Sequence, residues 1–199
     1  MFARLFHKLR SDGALLIAFL ALALLAFVFL KLASEIAEGE TLAIDRAILE
    51  ALRTPGNPGL PIGPAWLRYA MADVTALGGV TGLTLVTTAV AGFLLVARKY
   101  ATAGFVVAAV MGGAILGATL KTVFERARPD VVPHLAEVFD ASFPSGHAMN
   151  SAVVFLTLGA LLARTQKSPA VRIYLIAVAM LLTLMVGASR VYLLSLIHI

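Results

Sequence analysis

Cysteine is absent from the 199 residues, which excludes a disulfide framework and any thiolate metal site and leaves the redox state of the compartment unread. Charge is scarce too: Asp, Glu, Lys and Arg make 14% of the chain against 60% hydrophobic residues, and the mean hydropathy is +0.94. A soluble domain carries about a quarter of its residues charged, so this is an integral membrane protein. Acid is the scarcer sign, with 11 Asp and Glu against 16 Lys and Arg and a net charge of +5. Between membrane spans such an excess reads as an orientation signal and lipid headgroup contact, and a nucleic-acid partner is not expected.

What is present is a set of apolar runs at about 14–33, 74–97, 101–120, 148–163 and 173–189. Each approaches the roughly 20 residues that carry a helix across a bilayer, the fourth by extending to Thr165 or taking in its upstream turn. The fold class is all-α, a helical membrane bundle. The basic stretch "MFARLFHKLRSDG" before the first run lacks a small-residue cleavage pattern close behind it, so the run reads as an uncleaved span and not a signal peptide. Arg4, Lys8 and Arg10 precede the first span, Arg98 and Lys99 follow the second, and Arg164, Lys167 and Arg172 lie between the fourth and fifth. The positive-inside rule makes these cytoplasmic. The segments 34–70 and 121–147 and the tail after Ala188 then lie on the far side.

Within 34–70, "SEIAEGETLAIDRAILEALR" has apolar residues at partly helical spacing, as in an amphipathic helix against the membrane. "TPGNPGLPIGP" has four prolines and three glycines in eleven residues and reads as a turn-rich loop without an element of its own. Trp66 and Tyr69 suit an interfacial aromatic belt. Gly113 and Gly117 form a small-residue pair through which the third span can pack closely on a neighbour.

Three short stretches carry chemistry. In "KTVFERARP", Lys121 and Arg128 are seven residues apart; on a helix that is nearly two turns and roughly 10 Å, which puts both cations on one face. Pro129 and Asp130 then end the helix or turn it away. In "FPSGHAMN", Pro144, Ser145 and Gly146 lead into an apolar helix as an N-cap region whose N–H groups attract phosphate, and His147 follows where its imidazole can protonate a departing oxygen. Ser189 and Arg190 end the fifth span. Loop charges that exclude these residues place all three stretches on one membrane face. Three cations, an N–H nest and an imidazole match the needs of phosphoryl transfer, and the set requires neither a metal nor another cofactor.

These residues resemble the type 2 phosphatidic acid phosphatase superfamily, which includes lipid phosphatases and vanadium haloperoxidases. Lys121 with Arg128 and Pro129 is similar to its first motif, Pro144-Ser145-Gly146-His147 to its second, and Ser189-Arg190 to the start of its third. The resemblance covers about 70–194. It implies a six-helix bundle, of which five spans are present here, and metal-independent hydrolysis of a lipid phosphate or polyprenyl diphosphate at the extracytoplasmic face through a phosphohistidine. By the same resemblance Lys121, Arg128 and Arg190 hold the phosphate, Ser145 and Gly146 hydrogen-bond it, and His147 protonates the leaving group.

The third motif departs from the family. Leu196 stands six residues after Arg190, where the nucleophilic histidine belongs; His198 is two positions late, and no aspartate follows. No nucleophile is assignable, and 195–199 reads as an aberrant tail of an incomplete phosphatase core, in a single membrane domain over 1–199. The expected setting is a bacterial inner membrane, the expected partners a lipid phosphate and the bilayer. The rival reading is a non-enzymatic protein that binds or translocates anionic lipid; it keeps the cations but gives His147 no task, and a translocator would place polar groups nearer the midplane.

Overall fold

A backbone in lipid must satisfy its own hydrogen bonds, which favours helices in so apolar a chain. The computed structural model describes residues 42–124 and 144–193, with scattered residues between 19 and 34. Two units separate, 1–43 and 44–199. In the first, the described residues from Phe19 to Ser34 are helical, with Phe19, Leu24, Phe27 and Leu30 exposed; most of the apolar run expected as the first span lies outside the described residues.

The elements run α1 (Leu42–Ala51), β1 (Arg53–Thr54), β2 (Asn57–Pro61), α2 (Ala65–Leu77), α3 (Val80–Val96), α4 (Tyr100–Phe124), α5 (Gly146–Thr165) and α6 (Pro169–Tyr192). Among the described residues three helices, α4, α5 and α6, are long and apolar enough to cross a bilayer, and α2 with α3 makes a fourth if the pair, bent by 47°, is one span. The fold is a multi-span helical bundle with one small ribbon. Exposed Phe93, Val96, Phe105, Ile115, Ile173 and Leu184 give it the apolar outer surface that lipid requires.

The expected continuous span over 74–97 is corrected to two helices. The N–H groups of Gly78 and Gly79 each bond a carbonyl three residues back, Thr75 and Ala76, at 3.0 Å. Gly79 then turns extended, at φ −69° and ψ 148°, and starts α3. Adjacent glycines are the weakest helix formers short of proline, so the break falls there. Packing demands them as well, because a Cβ on Gly78 would overlap the Val186 Cγ1 methyl. At its other end α2 starts well before the apolar run, since Arg68 and Asp73 dilute hydropathy without stopping a helix.

The stretch expected to lack an element contains the ribbon. Pro55 and Gly56 occupy the two middle positions of the turn between Thr54 and Asn57, and Gly56 has φ 82°, as the third residue of a type II turn requires. β1 and β2 pair antiparallel, Arg53 opposite Pro61 and Thr54 opposite Asn57, with an irregularity between Arg53 and Thr54. Density of Pro and Gly marked the turn correctly; what it hid was the pairing on either side.

Tight turns join α3 to α4 and α5 to α6. After α3, the Lys99 N–H bonds the Leu94 carbonyl at 2.8 Å and the Arg98 N–H bonds the Leu95 carbonyl at 2.9 Å, a Schellman closure with Arg98 in the left-handed position, φ 58°. Between α5 and α6, Ser168 takes the N-cap position in extended conformation and Pro169 opens the next helix. Leu94, Ala103 and Val106 form a buried cluster joined by Val90, Leu158 and Leu161, which ties α3, α4 and α5 together.

Small residues set the helix separations. A Cβ on Gly113 would sit 2.7 Å from Val153 Cγ2, and one on Gly117 3.3 Å from Met149 Sδ, so the expected small-residue pair does carry α4 onto α5. On the next interface a Cβ on Gly159 would lie 2.7 Å from Ala179 Cβ. Gly159→Ala should therefore destabilise by about 1–3 kcal/mol through overpacking and lower Tm in detergent. Gly92→Ala, where nothing lies within 4 Å, should not; equal Tm values for the two variants would contradict this packing.

Candidate phosphate site

Because three-residue turns fold α4 back on α3 and α6 back on α5, the N-termini of α3 and α5 and the C-termini of α4 and α6 share the end of the unit opposite those turns. Lys121 lies in the last turn of α4 and Arg190 in the last turn of α6. Ser145 is the N-cap of α5, its hydroxyl accepting from the Ala148 N–H at 3.4 Å. That leaves the N–H groups of Gly146 and His147 in the first turn, where a helix has no acceptor for them. A local rule places each group; helix pairing brings them together.

The contacts are close. Lys121 Nζ lies 3.9 Å from where a Cβ on Gly146 would be, so the ammonium stands over the α5 N-terminus. Arg190 and Lys121 are the charged neighbours of the His147 imidazole. All four of Lys121, Gly146, His147 and Arg190 are half-buried, and Pro144 is buried. Ser189 has a different task from its neighbour: fully buried, it donates its hydroxyl to the Val186 carbonyl at 2.7 Å. Arg128, expected in the same group, lies outside the described residues, as do Leu196 and His198.

Reasoning from sequence missed the wall of the site. His147 Nε2 is 3.9 Å from a Cβ position on Gly79, and the His147 carbonyl is 3.2 Å from one on Gly78. The break between α2 and α3 therefore seats the histidine on a side-chain-free surface. Two adjacent glycines inside an apolar run were the available signal.

It also missed what holds the end of α6. Tyr192 donates its hydroxyl to the Ile62 carbonyl at 2.6 Å, and Arg53 Nη1 donates to the Tyr192 carbonyl at 2.9 Å. These bonds dock the ribbon on the helix end that bears Arg190. Tyr192→Phe should cost about 1 kcal/mol, seen as a lower Tm and earlier proteolytic cleavage near residues 53–61; an unchanged cleavage rate would mean that the hydroxyl does not hold the ribbon.

Two cations, a helix N-terminus and an imidazole at one half-buried position suit a tetrahedral oxyanion. Among the described residues no group of three or more His, Cys, Asp or Glu is placed to hold a metal.

Such an arrangement suits a phosphatase, and comparison with known proteins places the chain in that class. The chain belongs to the PAP2 superfamily, whose pattern it matches over residues 99–195. It is 31% identical over 169 residues to phosphatidylglycerophosphatase B of Bacillus subtilis (strain 168), covering 83% of this chain and 78% of that protein. Its fold is similar to the crystal structure of a transmembrane PAP2-type phosphatidylglycerolphosphate phosphatase from Bacillus subtilis, with a TM-score of 0.70, 29% identity, and coverage of 84% of this chain and 80% of that one.

Proposed function

We propose that this site performs metal-independent hydrolysis of a lipid phosphate at the extracytoplasmic face of a bacterial inner membrane, with the N-terminus in the cytoplasm. The observation that carries the reading is the Lys121 ammonium over the α5 N-terminus, beside a His147 imidazole flanked by Arg190. Lys121, Arg190 and, by its motif, Arg128 hold the phosphate; Ser145 and Gly146 add hydrogen bonds; His147 gives its proton to the departing lipid oxygen. The basic turns after α3 and α5 support the orientation. A phosphatidylglycerophosphate substrate draws support from the relatives; phosphatidate and polyprenyl diphosphate present the same group at the same boundary.

Hydrolysis through a phosphohistidine needs a second histidine, and Leu196 stands at its place in the family pattern. By this route turnover depends on a histidine that position 196 does not supply, and without one the cations serve the anionic-lipid-binding alternative. The test is phosphate release in detergent with a chelator present, from this chain and from a chimera in which the residues after Leu193 are those of the Bacillus subtilis relative. Release is expected only from the latter. Robust turnover by this chain would overturn the role given to position 196, and failure of the chimera on every lipid phosphate would overturn hydrolysis itself.

A further inference from the structure

Arg53 stands out among the charged residues that the phosphate reading does not use. It is 7% exposed. Its Nη1 donates to the carbonyls of Tyr192, at 2.9 Å, and Leu52, at 3.3 Å, while Nε and Nη2 are buried and meet no acceptor among the described residues. Burial pushes its pKa below the ordinary arginine value, with Tyr192 acting in the opposite sense, yet a guanidinium stays charged in a protein. A buried charge with two idle donors costs several kcal/mol unless an anion meets it. Capping α6 explains one nitrogen and leaves the other two without a purpose.

Position supplies the purpose. Along α6, Val186 touches Gly78, which also borders the His147 carbonyl. Arg190 follows one turn later, and the Tyr192 carbonyl that anchors Arg53 closes the helix. Val186 and Tyr192 are separated by roughly 9 Å of helix rise, so Arg53 lies outward of the imidazole on the line that Arg190 continues. Held at Nη1, its remaining Nε and Nη2 form the planar fork that fits two oxygens of one phosphate.

We propose that Arg53 is a second anion-binding residue, which takes a phosphate group other than the one between Lys121 and Arg190. That group is either the second phosphate of a substrate carrying two or the phosphodiester of a neighbouring anionic lipid. The inference rests on the phosphate reading above and deepens it, because beside a substrate with one phosphate Arg53 is met only by a neighbouring lipid.

The test uses the 199-residue chain in neutral detergent and two soluble probes, propyl phosphate and propane-1,3-diyl bisphosphate, with affinity read by calorimetry. The bisphosphate should bind roughly ten- to a hundredfold more tightly than the monophosphate. Arg53→Gln should erase that preference while leaving propyl phosphate affinity unchanged, and Arg53→Lys, which keeps the charge but loses the fork, should retain part of it. Unchanged monophosphate binding also certifies the fold; if the Gln variant does not fold, the Lys variant alone decides by a reduced preference. Equal weakening of both probes, or no change in either, would overturn the proposal in favour of a cap alone. Binding of neither probe by the parent chain would instead overturn the phosphate reading beneath it. Nanodiscs separate the two sources: competition of phosphatidylglycerol with the bisphosphate, but not with propyl phosphate, assigns the neighbouring lipid, and its absence assigns the substrate's own second phosphate.

Discussion

Gly78→Val should leave little folded protein in detergent. The valine Cβ would overlap Val186 Cγ1, a side chain with no exposed surface, and press on the His147 carbonyl 3.2 Å away. Neither neighbour has an easy retreat, since one is packed and the other is backbone. Overpacking of this kind costs about 1–3 kcal/mol for a single added carbon and rises with each further one, against a total stability of about 5–15 kcal/mol. Gly78 has φ −92°, which any residue adopts, so the loss is steric and not conformational. That makes it reparable: Val186→Ala removes the overlapping methyl, and the double variant should recover about 1 kcal/mol or more relative to additivity. Denaturant melts of the four proteins check this, and strict additivity would mean that Gly78 and Val186 do not meet.

His147→Asn should separate binding from turnover. In the chimera that carries the relative's C-terminal residues, loss of a positioned proton donor should lower kcat for a lipid phosphate by about 10²–10⁴-fold. Affinity for inorganic phosphate should change by less than about tenfold, because Lys121, Arg190 and the α5 N-terminus remain and each charge-assisted bond contributes about 1.5–3 kcal/mol. Arg190→Ala should do the reverse at the binding step, weakening phosphate by about 10–100-fold. If His147→Asn weakened phosphate binding as much as Arg190→Ala does, the imidazole would be a phosphate ligand and the role of proton donor would fall.

The local signals of the site could be read directly from the chain. Ser145 caps, Gly146 admits a close cation, and Lys121 and Arg190 sit in last turns, all consequences of rules that act within a few residues. Helix length was equally legible where the apolar run was clean: α5 takes in both the upstream turn and Thr165. Elements whose form depends on distant partners were hidden. The Gly78–Gly79 break answers to Val186, more than a hundred residues away, and the ribbon's value lies in Tyr192 at the far end of the chain. Arg53 looked like an ordinary charge in an acidic stretch, because burial by a remote helix leaves no mark on the residues beside it.

The three-residue turns carry a consequence for biogenesis. Each joins two antiparallel helices whose contacts are close in sequence, so a hairpin can pair as soon as it leaves the ribosome and translocation machinery, at little loop-closure cost. The proposed anion site has no such head start. Lys121 belongs to the earlier hairpin and His147 and Arg190 to the later one, so ligand capture begins only when the two hairpins dock, and phosphate protection becomes a clock for the final step of assembly.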